Sequence, residues 1–429
     1  MKVLALCVLA LVACESSVTP VVKEPEIGAI AKDVSTERIA VDIGMLVGFR
    51  NRNTCGAGVE KARDMIKTRF ETLGLNVKLD EFDAPCGEPV KRQSVIGIIE
   101  GRDPTRLVMV GGHYDSRTIE RNDGTSDAPG ANDSGSQTSL VLEAARLMSG
   151  RKYETSVAFV AFAGEEQGLL GSKSVASHLA TLFPGAKLEA MLDCDIVGGD
   201  KDANNDAALH RFRLYAPGAP RETGKDTPDG SLDGTSPSRL LQRWIADTAR
   251  ARTPDMDPIV MRREDRPGRG SDHQPFIDLG VAGVRFIETN ETLAHQHSPD
   301  DVMAFVTPEY TARMTRVVVA SLAGLASAPR RPEILSVRRD TLHVSLAWKP
   351  AKVEQWIVSF RPVAASTNDF VISSETTQAE FDVTGMTLPF YVTVRAIASG
   401  EHSLQAPEWR CDDKACTVPI TPADVVRKM

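Results

Sequence analysis

Two apolar runs constrain this chain more than anything else in it. Leu107-Val108-Met109-Val110 stops at Gly111-Gly112, and Val157 to Phe162 stops at Ala163-Gly164. Neither run alternates with polar residues, so both read as strands buried on two faces, the habit of a parallel sheet covered by helices. Each delivers charged groups directly past its glycines. His113 and Asp115 stand two apart, on the same side of an extended chain, and Glu165 and Glu166 are adjacent. Ligands in open α/β sheets sit outside the carboxyl ends of the strands, where these residues fall.

The surrounding pattern is strand, loop, helix, strand. Leu140, Val141, Ala144, Leu147 and Met148, closed by Gly150, give a helix whose apolar stripe can lie on the sheet. Further helices are expected from Ser35, a candidate N-cap before Ile39, Ile43, Leu46 and Val47; over 56–73, ended by Gly74; and over 238–252, opened by Ser236-Pro237. Strands are expected at 77–82, 94–101, 190–197 and 281–287. Residues 34–328 therefore belong to the α/β class, with a mostly parallel central sheet flanked by helices. Composition shifts at Ala328-Pro329-Arg330-Arg331-Pro332, a linker. Beyond it, strand-like runs at 342–348, 355–360, 379–383 and 390–397 predict a second, smaller β-sandwich domain over 332–418.

At the start, Lys2 precedes an apolar stretch over 3–13 that is too short to span a bilayer and ends at Cys14. This resembles a bacterial lipoprotein signal. The resemblance implies a signal peptide at 1–13, a lipid on Cys14, and a flexible tether over 14–33 that anchors an exported protein to the membrane of the cell envelope. A net charge of -8 with no basic block excludes nucleic acid as a partner. An oxidising compartment permits disulfides, and Cys55 with Cys86 and Cys411 with Cys416 are the economical pairs, leaving Cys194 as a buried, inert thiol.

Imidazoles and carboxylates past strand ends suit zinc, and five of them can serve two ions bridged by one carboxylate. The candidates are His113, Asp133 in A-N-D-S-G, Glu166, Asp195 in M-L-D-C-D-I-V, and His297 in H-Q-H-S-P-D-D. Glu165 is left over beside a ligand, which suits a general base. Over roughly residues 34–325 the chain resembles the co-catalytic zinc exopeptidases of the M28 type, which include bacterial aminopeptidases. The resemblance runs in order through G-G-H-Y-D-S, P-G-A-N-D-S-G-S, A-F-A-G-E-E-Q-G-L-L-G-S, M-L-D-C-D-I-V-G, D-R-P-G-R-G-S-D-H-Q-P-F and H-Q-H-S-P-D-D.

It implies that His113 and Asp195 hold one zinc, that Glu166 and His297 hold the other, and that Asp133 bridges them. Glu165 is then the catalytic base, Asp115 orients His113, and the peptide from Asp133 to Ser134 is cis. His297 is preferred to His295 because H-S-P-D-D fits the family's histidine followed by an acid, and Asp195 to Asp193 because D-I-V-G fits its aspartate motif. Asp272 and His273 are candidates for the substrate pocket. The implied activity is removal of N-terminal residues from peptides. The alternatives are a carboxypeptidase-like hydrolase or a glutaminyl cyclase on the same fold, or a binding protein without catalysis. Such cyclases use one zinc, whereas both His113 and Asp195 are present here. In the C-terminal region Trp348, Trp356 and the Y-V-T-V-R-A run from Tyr391 resemble a fibronectin type III domain.

Overall fold

The computed structural model describes residues 26–199, 208–216, 236–261, 265, 270–291, 293–362, 370–374, 376–384 and 386–417. The signal peptide, Cys14 and the first part of the expected tether lie outside them. The rest of that tether contradicts the expectation: Glu26–Lys32 is a helix that buries Ile27, Ile30 and Ala31.

The larger unit is an eight-stranded sheet of β1 (Asn76–Cys86), β2 (Glu88–Ile99), β3 (Asp103–His113), β4 (Thr155–Phe162), β5 (Lys187–Cys194), β6 (Arg211–Tyr215), β7 (Asp257–Met261) and β8 (Gly283–Glu288). Its order is β1-β2-β4-β3-β5-β8-β6-β7. The four central strands β4, β3, β5 and β8 are parallel, while β1 and β2 add an antiparallel hairpin at one edge and β6 runs antiparallel to β8. The sheet is thus mixed, with its parallel part in the middle. β6 and β7 fall where no strand was read: each is five residues long, and their sequences, Arg-Phe-Arg-Leu-Tyr and Asp-Pro-Ile-Val-Met, lack a continuous apolar run.

The central strands are buried on both faces because each alternate residue enters a different core. Val108 and Val110 of β3, with Val157, Phe159 and Ala161 of β4, pack under helices Thr36–Val47, Gly58–Thr72, Gln137–Met148 and Pro308–Ser327. Leu107 and Met109, with Ala158, Val160 and Phe162, pack on the opposite face against Val175 and Ala176 of helix Leu170–Ser177 and Phe276. Each Val, Leu, Met or Phe among them contributes about 1.5–3 kcal/mol by leaving water. Ser35 caps its helix by accepting from Arg38 N, and Ser236 does the same from Arg239 N before Pro237.

β3 leads to β4 through a helix on one face, and β4 leads to β5 through a helix on the other, so the chain passes across β3. That reversal opens a crevice at the carboxyl end of β3, the place where such sheets bind ligands. The Cys55–Cys86 bridge ties the segment before helix Gly58–Thr72 to the end of β1, and Cys411–Cys416 closes a hairpin. Cys194 is buried and free.

The long helix ends at Ser327, and the chain re-enters strand at Ile334. Between them, Arg106 donates to the carbonyls of Ala328 and Pro329, and Arg330 pairs with Asp103. Two antiparallel sheets follow, and their inner faces share a core that includes Val344, Trp348, Trp356, Phe360 and Val394. This unit docks on helices Pro237–Arg252 and Pro308–Ser327. Glu408, with a fully buried carboxylate, binds Arg243 at 2.6 Å and Arg361 through both oxygens. Arg252 donates to both oxygens of Glu401 at 2.8 and 2.9 Å, Trp244 Nε1 donates to His402 O at 3.1 Å, and Leu404 joins the core of the larger unit.

Candidate metal centre

The five proposed ligands come from four strand ends. His113 is the last residue of β3, and Glu166 follows β4 through Gly164, whose φ of 71° makes the turn. Asp195 follows β5 directly. Asp133 lies in a tight turn, Ala131–Ser136, between β3 and the next helix, with φ −103° and ψ 83°. His297 follows β8 in a loop and has φ 57°, as does Ile196 beside Asp195. Left-handed backbone at two β-branched or ring-bearing residues is costly and clusters at functional sites. The Asp133–Ser134 peptide is trans, contrary to the family-based expectation; the only cis bond among the described residues is Leu388–Pro389.

Asp133 faces two ways. Its Oδ1 lies 3.2 Å from His113 Nε2, and its Oδ2 lies 3.3 Å from His297 Nε2. His113 Nε2 is 3.5 Å from Asp195 Oδ1, and His297 Nε2 is 3.1 Å from Glu166 Oε1. Ligand atoms about 2.0–2.1 Å from a tetrahedral zinc stand roughly 3.3 Å apart, so these four separations are near those of ligands that share an ion. Asp133 Oδ1 and Glu166 Oε1 are buried and have no donor beyond the imidazoles that face them. Buried carboxylate oxygens with so few donors are expensive, and a cation is a partner that this donor set suits. One ligand atom each from His113, Asp133 and Glu166 lies within 4.8 Å of the others.

Neighbouring groups hold the ligands. His113 Nδ1 contacts Asp115 O at 3.2 Å, which leaves the Nε2 lone pair toward the centre. The Asp115 carboxylate is farther, at 3.6 Å, and accepts the N–H groups of Glu165 and Glu166 at 3.2 Å instead. It therefore ties the two charged loops together. Gln137 Nε2 lies 3.0 Å from His113 Nε2, and Gln296 Nε2 donates to Asp133 Oδ2 at 2.7 Å.

Two guanidiniums that the sequence reading passed over stand behind the carboxylates. Arg117 donates to Glu166 Oε2 at 2.6 Å and lies 2.7 Å from His297 Nδ1; Arg285 is buried 2.8 Å from Asp195 Oδ2. Both touch oxygens or nitrogens turned away from the centre. Arg285 was detectable as a lone charge inside the apolar strand Gly-Val-Arg-Phe-Ile. Arg117 looked like an ordinary loop residue.

The charges perturb one another strongly. Burial, reinforced by Glu166, Asp195 and Asp272 and opposed by His113, pushes the Glu165 carboxyl well above the usual range. Burial opposes charge on Asp133, but His113 and His297 outweigh it and hold that carboxyl well below the ordinary value. Burial likewise opposes the His297 imidazolium, yet Asp133 and Glu166 raise it to about 9. Such mutual perturbation in a crevice is what functional sites show.

His295 stacks on Phe305 with centroids 3.6 Å apart, while His297 turns its Nε2 inward. Asp193 accepts from His273 N and contacts its Nδ1 at 2.8 Å. His273 is nearly buried and Asp272 wholly so. These two candidates for the substrate pocket are buried, and the contacts of His273 with Asp193 join their segment to β5.

Comparison with other proteins gives a consistent picture. The model for peptidase family M28 matches residues 94–322. A probable zinc metalloprotease of Leptosphaeria maculans is 32% identical over 373 residues, covering 80% of this chain and 85% of that protein. Among solved structures, the LapA aminopeptidase of Legionella pneumophila superposes with a TM-score of 0.56 at 20% identity, over 74% of this chain and 78% of its own. BSAP, a zinc aminopeptidase from Bacillus subtilis, gives 0.53 at 18% identity, over 67% and 94%.

Proposed function

The chain belongs to peptidase family M28 and is a zinc metallopeptidase; from that premise we propose that it is a di-zinc aminopeptidase, removing N-terminal residues from peptides. The observation that carries this reading is Asp133, whose two carboxylate oxygens face two separate histidine–carboxylate halves at zinc spacing. In it His113 and Asp195 would hold one ion, Glu166 and His297 the other, and Asp133 would contribute an oxygen to each. Bound zinc supplies Lewis acidity toward a carbonyl and makes a water more acidic.

The protein's own part is proton handling and orientation. Glu165 is partly exposed and follows β4 through Ala163 and Gly164, beside the ligand Glu166, so it can take a proton from the attacking water and return it to the leaving amine. Asp115 fixes the Glu165 backbone through its N–H and holds His113 through its own carbonyl. The aminopeptidase neighbours on this fold agree with the proposed activity. An export signal with a lipid on Cys14 completes the proposal, placing the enzyme at the cell envelope, and the C-terminal sandwich is proposed to be of fibronectin type III kind.

The test joins metal analysis with hydrolysis of leucine amide and N-acetyl-leucine amide. Two zinc ions per chain and cleavage of the free amide alone are expected. Equal cleavage of the blocked substrate would overturn the aminopeptidase assignment, and one ion after full reconstitution would overturn the two-metal site.

A further inference from the structure

Two buried charged residues outside the ligand set grip the turn that carries Asp133 from opposite sides. Arg52 has no exposed surface. Its Nε donates to Tyr114 O at 2.8 Å, its Nη1 to Leu46 O at 3.0 Å and Pro129 O at 2.6 Å, and its Nη2 to Gly130 O at 2.9 Å and Ser134 Oγ at 3.3 Å. The full fork of this guanidinium is therefore spent on neutral acceptors, most of them in or beside the turn. Asp301 takes the other side. Its Oδ1 accepts from Asn132 N at 2.8 Å, its Oδ2 from Asp133 N at 2.9 Å, and its carbonyl from Ala131 N at 2.9 Å.

Carbonyls directly before the turn thus end on a cation, and the amides that open the turn end on Asp301. Between them Gly130 has φ 53°, and a Cβ there would stand 2.5 Å from Asp133 O and 2.9 Å from Arg52 Nη2. The grip leaves the Asp133 backbone one conformation, from which a short side chain can split its oxygens between His113 and His297. Metal centres need their ligands held to about 0.5 Å. The Asp133 side chain has few torsions with which to correct a misplaced backbone.

We propose that Arg52 and Asp301 are positioning residues that fix the aim of Asp133 and thereby set the metal affinity of the centre. This rests on the reading of Asp133 as a shared ligand. A purely structural role predicts lower stability with an unaltered centre, so the two roles separate by experiment.

Metal-free protein is titrated with cobalt(II), followed by visible absorption, in wild type, Asp301→Asn and Arg52→Lys. Asparagine keeps the shape of Asp301 but sets an N–H against one of the two backbone amides. Glu408→Gln, at the distant domain seam, serves as a control for lost stability alone. Cobalt affinity is expected to fall about 10–100-fold in both variants, with a changed absorption band and a lower kcat at similar KM, while the control keeps wild-type affinity. Affinity and spectrum within twofold of wild type, in whichever of the two variants folds, would overturn the proposal. Uptake of a single cobalt by wild type would overturn the two-metal reading instead, and the variants would still decide the positioning role at that one ion.

Discussion

At the seam between the two units, buried carboxylates meet fixed guanidiniums: Glu408 takes Arg243 and Arg361, and both oxygens of Glu401 accept from Arg252 Nη2. At the metal centre, Arg117 and Arg285 take only the outer oxygens of Glu166 and Asp195, while Asp133 Oδ1 and Glu166 Oε1 have no donor beyond the imidazoles, and four acids crowd two histidines. The seam's charges are complete within the chain, so they serve orientation and stability. Those of the centre are complete only with a cation. Stability given up at one place to create a reactive site is offset by satisfied contacts elsewhere.

The largest expected effect comes from Glu165→Gln. Losing a general base lowers kcat about 10²–10⁴-fold, yet the metal-free protein should melt no lower than wild type, because the amide removes a charge that burial and neighbouring acids disfavour. Kinetics and thermal melting check both halves; a clear drop in Tm would show that the centre is as well paired as the seam.

Glu408→Gln should do the reverse. Breaking a buried ion pair costs about 3–5 kcal/mol, measurable by denaturant unfolding, while kcat per folded molecule stays at the wild-type value. A loss of kcat would mean that the seam reaches the site.

The smallest effect is a linkage. In metal-free protein the folded pKa of His297, about 9, lies above the ordinary 6.5. Its contribution to stability is complete below about pH 6.5 and is lost as pH rises through about 9. Tm should therefore fall over that window, while the Tm gain on adding zinc should grow, since the metal needs the unprotonated imidazole. A flat metal-free profile would sharpen the comparison against His297.

The central strands were legible because continuous apolar runs announce buried strands, and the candidate ligands stood out because the polar motifs stand at the strand ends. The helper residues were not. Arg52 reads as one polar residue in R-N-R-N-T, and nothing local says that five acceptors from distant segments converge on it. Asp301 was visible only as the last letter of H-S-P-D-D; its role depends on a turn about 170 residues earlier. β6 and β7 escaped for a different reason, since short strands near a sheet edge need little apolar sequence. Helix Glu26–Lys32 hid in a stretch too short for periodicity to show.

The sheet order carries a temporal consequence. β3 and β4 emerge early in synthesis with His113, Asp133 and Glu166, but β8, next to β5 in the sheet, must be inserted before the loop bearing His297 can close over Asp133. Contacts this distant in sequence form late in folding. With His297 as the proposed ligand, a half-made chain holds the ingredients of a hydrolase without the means to cut, and the centre closes only with the last central strand.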